Sequence, residues 1–170
     1  EVDMLEETYL KIISSKTAEL FAAATKVGAI LSDMKNKEKE ALEFYGRNLG
    51  LTFQIADDTL DYNSELKLFG KKIGQDFYEG KITLPIILLF QKAEIKEKEK
   101  LKEIFSKDYR NEDNLNFTLS LIKKYNIIKV CYQKANHYIN LASNSLSVFN
   151  NSEEKNILEN LTSFSLSRNF

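Results

Sequence analysis

The feature that most limits what this chain can become is its lack of punctuation: one Pro and six Gly in 170 residues. Short strands need frequent turns, and Pro and Gly are the residues that make turns cheaply. Long stretches here contain neither, so the expectation is long helices joined by a few loops. An all-α fold follows. Apolar residues recur at helical spacing to match. From Asp3 to Met34, the residues Leu5, Tyr9, Ile12, Ile13, Leu20, Ala23, Val27, Ile30 and Leu31 build one stripe. In a second helix of about Ala41 to Tyr62, the stripe is Leu49, Phe53, Ala56 and Leu60. A further helix restarts after Thr83, a candidate N-cap, with Pro85 tolerable in its first turn. Others are expected around Phe117 to Lys124, Ile128 to Ser143 and Asn151 to Phe164.

Charge narrows the choice of partners. With 24 Lys and Arg against 25 Asp and Glu, the net charge is −1, so no global basic field exists to attract nucleic acid. Any ion site must be local. The lone Cys131 excludes a disulfide framework and a thiolate zinc cluster, and it suits a reducing compartment. The longest apolar run, Leu84 to Phe90, is far shorter than the roughly 20 residues of a membrane span. Glu1 to Leu10 lacks the basic and apolar regions of a secretion signal. A soluble, cytoplasmic protein is the expectation. The run Lys92 to Lys102 alternates Lys with Glu and reads as a solvated helix face. His137 and Cys131 carry no catalytic pattern, and a single His leaves no His-containing metal motif.

Three sets of residues point to chemistry. On the second helix, Gln54, Asp57, Asp58 and Asp61 follow the spacing of one helix face and adjoin the apolar stripe. Carboxylates so placed repel one another and lose solvation, which a bound cation relieves. Oxygen-only donors suit Mg²⁺, which keeps waters and shares its shell with substrate phosphates. An exposed acidic patch is the plainer alternative, but it does not explain Gln54 or the flanking Phe53 and Tyr62.

In the first helix, Lys16 continues the apolar stripe, where an ammonium group is costly unless an anion pairs with it; the alternative is a lysine whose stem packs while its head reaches solvent. Thr17 beside it can hydrogen-bond a ligand or the preceding turn. The loop Asn63 to Ile82 holds Gly70, Gly74 and Gly80 with Lys71 and Lys81, point charges suited to phosphate oxygens on flexible backbone. The spacing fits neither a nucleotide loop nor a dinucleotide fingerprint. Together the three sets suit a ligand with a metal-bound diphosphate at one end and hydrocarbon at the other.

At these residues the sequence resembles the C-terminal half of a trans-polyprenyl diphosphate synthase, in particular the long-chain, octaprenyl-like members. Tyr9 with Lys16-Thr17-Ala18-Glu19-Leu20-Phe21 and Gly28-Ala29 is similar to that family's Lys-Thr helix. Phe53-Gln54-Ile55-Ala56-Asp57-Asp58-Thr59-Leu60-Asp61-Tyr62 is similar to its second aspartate-rich motif. Gly70-Lys71 through Gly74, Asp76, Gly80-Lys81 and Thr83-Leu84-Pro85 is similar to the loop that follows. The form Glu79-Gly80-Lys81-x-Thr83-Leu84-Pro85 is nearer the members that make quinone side chains than farnesyl synthases.

The resemblance implies an isoprenoid synthase helical bundle, with residues 1–170 forming one all-α domain piece. It implies condensation of isopentenyl diphosphate with an allylic prenyl diphosphate, with Asp57, Asp58 and Asp61 holding Mg²⁺. Lys16, Lys71 and Lys81 would contact diphosphate, Thr17 and Gln54 would line the site, and the full-length enzyme would be a homodimer. The family's first aspartate-rich motif and its isopentenyl-binding residues would lie upstream of Glu1, so this chain alone is expected to be inactive. A noncatalytic helical partner subunit of such an enzyme is the alternative, against which the clustered acids and lysines argue. A helical interaction module unrelated to prenyl chemistry explains only the amphipathic helices.

Overall fold

The computed structural model describes residues 6–63 and 73–167, with side chains followed to residue 165. Among the described residues all regular structure is helical. The first long helix is α1 (Glu6–Ile13), a π-helical turn (Ser14–Ala18) and α2 (Glu19–Leu31) in succession. Then come α3 (Asn36–Leu60), α4 (Gln75–Glu79), α5 (Leu84–Lys92), α6 (Ile95–Ser106), α7 (Glu112–Lys124) and α8 (Ile127–Ser145). A 3₁₀ turn (Leu146–Val148) leads to α9 (Glu153–Ser167). Among the described residues, no helix is long and apolar enough to cross a membrane.

The π turn changes which side of the first helix is buried. Buried positions step by four from Tyr9 to Ile13, by five to Ala18, and by four again to Ala22. The extra residue rotates the stripe predicted from sequence. Leu20, Val27, Ile30 and Leu31 are therefore 47 to 80% exposed, while Ala18, Ala22 and Ala29 are buried in their place; Ile12, ahead of the turn, is 47% exposed.

Two compact units divide the chain, and the division falls within α1, α3 and α8. The unit formed by Leu10–Ala56 and Gln133–Phe170 has a core of Ala29, Leu42, Tyr45, Leu49, Ile139, Ala142 and Leu146. Tyr45 donates to the Leu158 carbonyl at 2.8 Å, and burial pushes its phenol up to about 12. In this unit α3 offers Gly46 and Gly50 to the first helix. A Cβ on Gly50 would lie 2.7 Å from Ala18 Cα, and one on Gly46 would lie 2.4 Å from the Phe21 carbonyl oxygen. Only glycine permits so close an approach.

The other unit, Glu1–Tyr9 with Asp57–Tyr132, is built around α5, whose residues Leu84 to Leu89 are all buried. Phe77 meets Phe105 edge-on at 5.4 Å, and Phe90 meets Phe105 at 6.3 Å. Thr83 precedes α5 in extended backbone without capping it through its side chain. Glu94 and Asn111 begin α6 and α7 with reciprocal capping boxes.

Candidate active site

From Tyr45 to Leu60, α3 is buried or half-buried at every position except Asp57. Asp57 is exposed and makes no hydrogen bond or ion pair with any described residue. Its neighbours are engaged elsewhere. Asp58, 6% exposed, accepts a 2.7 Å hydrogen bond from the Tyr9 hydroxyl of α1. Burial, and then the Asp58 charge, push the Tyr9 phenol far up, so it stays a donor. Asp61, just past the end of α3, accepts backbone N–H bonds from Gln75 and Asp76, both at 2.9 Å. Burial raises its carboxyl and these N–H groups oppose the rise.

The spacing predicted three carboxylates acting as one set, and the geometry instead gives them three different surroundings. Among the described residues no three Asp, Glu, His or Cys side chains are grouped to hold an ion by themselves. The charges of Asp58 and Asp61, together with that of Asp76, are nevertheless felt by the buried Tyr62. Burial raises its phenol first, and Asp61, Asp76 and Asp58 add to the rise. Thr83 opposes this slightly, though neither its hydroxyl nor that of Tyr62 has a partner in good hydrogen-bond geometry.

Lys81 follows α4. Its ammonium contacts Glu79 Oε2 at 2.6 Å and Asp76 Oδ1 at 3.0 Å. These bonds raise its pKa, and it stays charged. Asp61, Asp76 and Lys81 thus form one continuous sequence of contacts, in which Asp76 binds Asp61 through its amide and Lys81 through its carboxylate. Lys71, the other lysine predicted on this loop, lies outside the described residues.

In the unit formed by Leu10–Ala56 and Gln133–Phe170, Thr17 donates to Gln54 Oε1 at 2.8 Å. The close approach at Gly46 and Gly50 explains the pairing, because Gln54 continues the same row of α3 one turn later. The Phe21 and Phe53 rings meet at 5.6 Å beside it. Lys16 departs from expectation: it does not lie along a buried stripe but is exposed on the π turn. The added residue in that turn moves it off the apolar side. No desolvation compels it to pair, and it has no partner among the described residues.

Two residues were given no role from sequence. Asp76, quoted only as part of the loop motif, sits in a five-residue helix too short to leave a periodic signal. Arg110, 7% exposed, was visible only as one of three arginines among 24 basic residues.

The comparisons with known proteins agree with one another. The Polyprenyl synthetase family pattern matches residues 1–122. A short chain isoprenyl diphosphate synthase from Methanothermobacter thermautotrophicus is 35% identical over 167 residues, covering 98% of this chain and 51% of that protein. The octaprenyl diphosphate synthase of Escherichia coli is 47% identical over 85 residues, covering 50% of this chain and 26% of its own. A crystal structure of polyprenyl synthase from Caulobacter crescentus, complexed with calcium and isoprenyl diphosphate, matches with a TM-score of 0.92 and 35% identity. That match covers all of this chain and 52% of the other. The chain therefore spans about half the length of the relatives it matches end to end. With most of its residues inside the family pattern and its helices superposable on a solved member, the chain belongs to the polyprenyl synthetase family.

Proposed function

We propose that this chain supplies part of a prenyltransferase that condenses isopentenyl diphosphate with an allylic prenyl diphosphate, working in the cytoplasm as a homodimer. In that reaction the allylic C–O bond breaks and diphosphate departs with the electron pair. The isopentenyl double bond then attacks the carbocation, and a proton is lost. Asp57 carries the reading. On the stretch of α3 from Tyr45 to Leu60, otherwise buried or half-buried throughout, it is the one exposed position and a carboxylate with no partner among the described residues.

The donor set fits Mg²⁺, since that ion is commonly held by one or two carboxylates with substrate phosphate and water completing its shell. Asp57 would be its protein ligand. Asp58 and Asp61, each already bonded, add negative charge beside it and hold the end of α3. When bound, the ion supplies positive charge that stabilises the departing diphosphate. The protein's own cations do the same work: Lys81, Lys16 and Lys71 are assigned to diphosphate oxygens. Thr17 fixes the side chain of Gln54, which we assign to lining the site.

A long-chain product for quinone side chains is supported by the Glu79-Gly80-Lys81-x-Thr83-Leu84-Pro85 pattern and by the name of the Escherichia coli relative. Thermal unfolding of the intact protein with Mg²⁺ and inorganic diphosphate tests the site. Saturating ligand is expected to raise the midpoint by about 5–10 °C, and Asp57→Ala to lose at least half of that rise. Equal rises for both proteins would remove Asp57 from the site. A full rise without incorporation of labelled isopentenyl diphosphate would instead favour a noncatalytic partner subunit.

A further inference from the structure

Arg110 is the buried cation that the proposed chemistry leaves unused. It lies between α6 and α7 and is 7% exposed. A guanidinium so placed is expensive to desolvate and is normally matched by a carboxylate. Here its donors go to main-chain carbonyls: Nη1 to Tyr78 at 3.2 Å and Nη2 to Phe105 at 3.4 Å. Nε has no partner, and the group lies 5.6 Å from the centre of the Phe105 ring. No acid in the described structure pairs with it. A role that could tolerate any cation does not explain this choice. A rigid fork able to reach two fixed carbonyls at once does, and lysine cannot provide one.

What the fork holds is the turn that presents Lys81. Helix α4 ends with the Lys81 amide bonded to the Asp76 carbonyl at 2.9 Å and the Gly80 amide bonded to that of Phe77 at 3.0 Å. This pattern needs a left-handed residue, and Gly80 supplies it with φ +73°. The pattern leaves the Tyr78 carbonyl unsatisfied within the helix, and Arg110 takes it. The guanidinium also covers the bare α-carbon of Gly80, where a Cβ would stand 2.4 Å from Nη2. Arg110 thus fixes from outside the residue that aims the Lys81 side chain back at Asp76 and Glu79.

We infer that Arg110 is a positioning residue for Lys81, holding the Gly80 turn so that the ammonium group is set in place before diphosphate arrives. The inference rests on the proposed role of Lys81 in diphosphate binding. It makes Arg110 matter to affinity only through Lys81. A merely structural Arg110 would affect stability, with an affinity effect independent of Lys81.

Calorimetric titration of the intact protein with inorganic diphosphate and Mg²⁺ separates the cases, using Lys81→Ala, Arg110→Lys and the double variant. Lys81→Ala is expected to weaken binding about tenfold, Arg110→Lys several-fold, and the double variant no more than Lys81→Ala alone. Hydrogen exchange of the Lys81 and Gly80 amides should accelerate in Arg110→Lys while that of α3 is unchanged. Gly80→Ala disturbs the same turn from the other side, so it should reproduce the binding loss even if Arg110→Lys folds poorly. Multiplying losses in the double variant, or wild-type affinity in both Arg110→Lys and Gly80→Ala, would overturn the positioning role. Wild-type affinity in Lys81→Ala would overturn the diphosphate role of Lys81 itself, and the two failures are therefore told apart.

Discussion

Helices α5 and α2 are both composed largely of apolar residues, and the chain covers one while leaving much of the other open. In α5, Leu84, Ile86, Ile87, Leu88 and Leu89 are each at most 3% exposed. In α2, Leu20, Val27, Ile30 and Leu31 are between 47 and 80% exposed, and only Ala22 and Ala29 are buried. Single exposed leucines are ordinary, but several along one continuous helix make a patch. The composition of α5 is accounted for by folding. That of α2 answers to something other than this chain's own core.

The contrast is sharpest in stability. Leu89→Ala empties a fully buried position and is expected to cost about 3 kcal/mol in denaturant unfolding. Leu20→Ala in α2 should stay within about 0.5 kcal/mol of wild type. Comparable losses at the two positions would erase the distinction between the helices. A smaller effect concerns association: the chain by itself should form oligomers in light scattering, and Leu20→Ser with Val27→Ser should shift it toward monomer. A wild-type monomer at high concentration would show that the open face of α2 is not adhesive. A further effect on α2 has the opposite sign. Gly28 on α2 has nothing within 4 Å of where a Cβ would stand, so Gly28→Ala should add about 0.5–1 kcal/mol of stability through helix propensity. Gly50→Ala, which meets Ala18 Cα, should destabilise instead. A destabilising Gly28→Ala would mean that the open face is covered.

The helices and their order were legible in the sequence, because a chain with one Pro and long apolar periods has few other ways to bury its side chains. Of the expected stripe Leu49, Phe53, Ala56 and Leu60, all are buried except Phe53, which is half-buried. Departures occur where structure is set by contacts that carry no period. Helix α4 exists because Gly74 and Gly80 turn left-handed at its ends and Asp61 binds its first amides, and five residues leave no pattern to read. The separation of Asp57 from Asp58 depends on Tyr9, a residue 49 positions away. Spacing could place the acids on a helix but not say which one a distant hydroxyl would engage. The exposure of Lys16 depends on one π turn that no composition rule announces.

That turn has a consequence for the chain as an object of heredity. An α-helix can gain a residue only by rotating everything beyond it through about 100°, which is normally ruinous, and a π turn absorbs the insertion locally. At the present length, an uninterrupted α-helix through Ser14 to Ala18 would turn Ala22 about 220° away from Tyr9, and the two could not share a face; with the π turn both are buried. Removing one residue within the turn would leave the buried positions stepping by four throughout, the stripe of a plain α-helix. A one-residue deletion between Ser14 and Ala18 should therefore be borne far better than one elsewhere in the first helix, and a one-residue gap in this stretch of a relative's sequence would mark a straightened turn with its buried face kept.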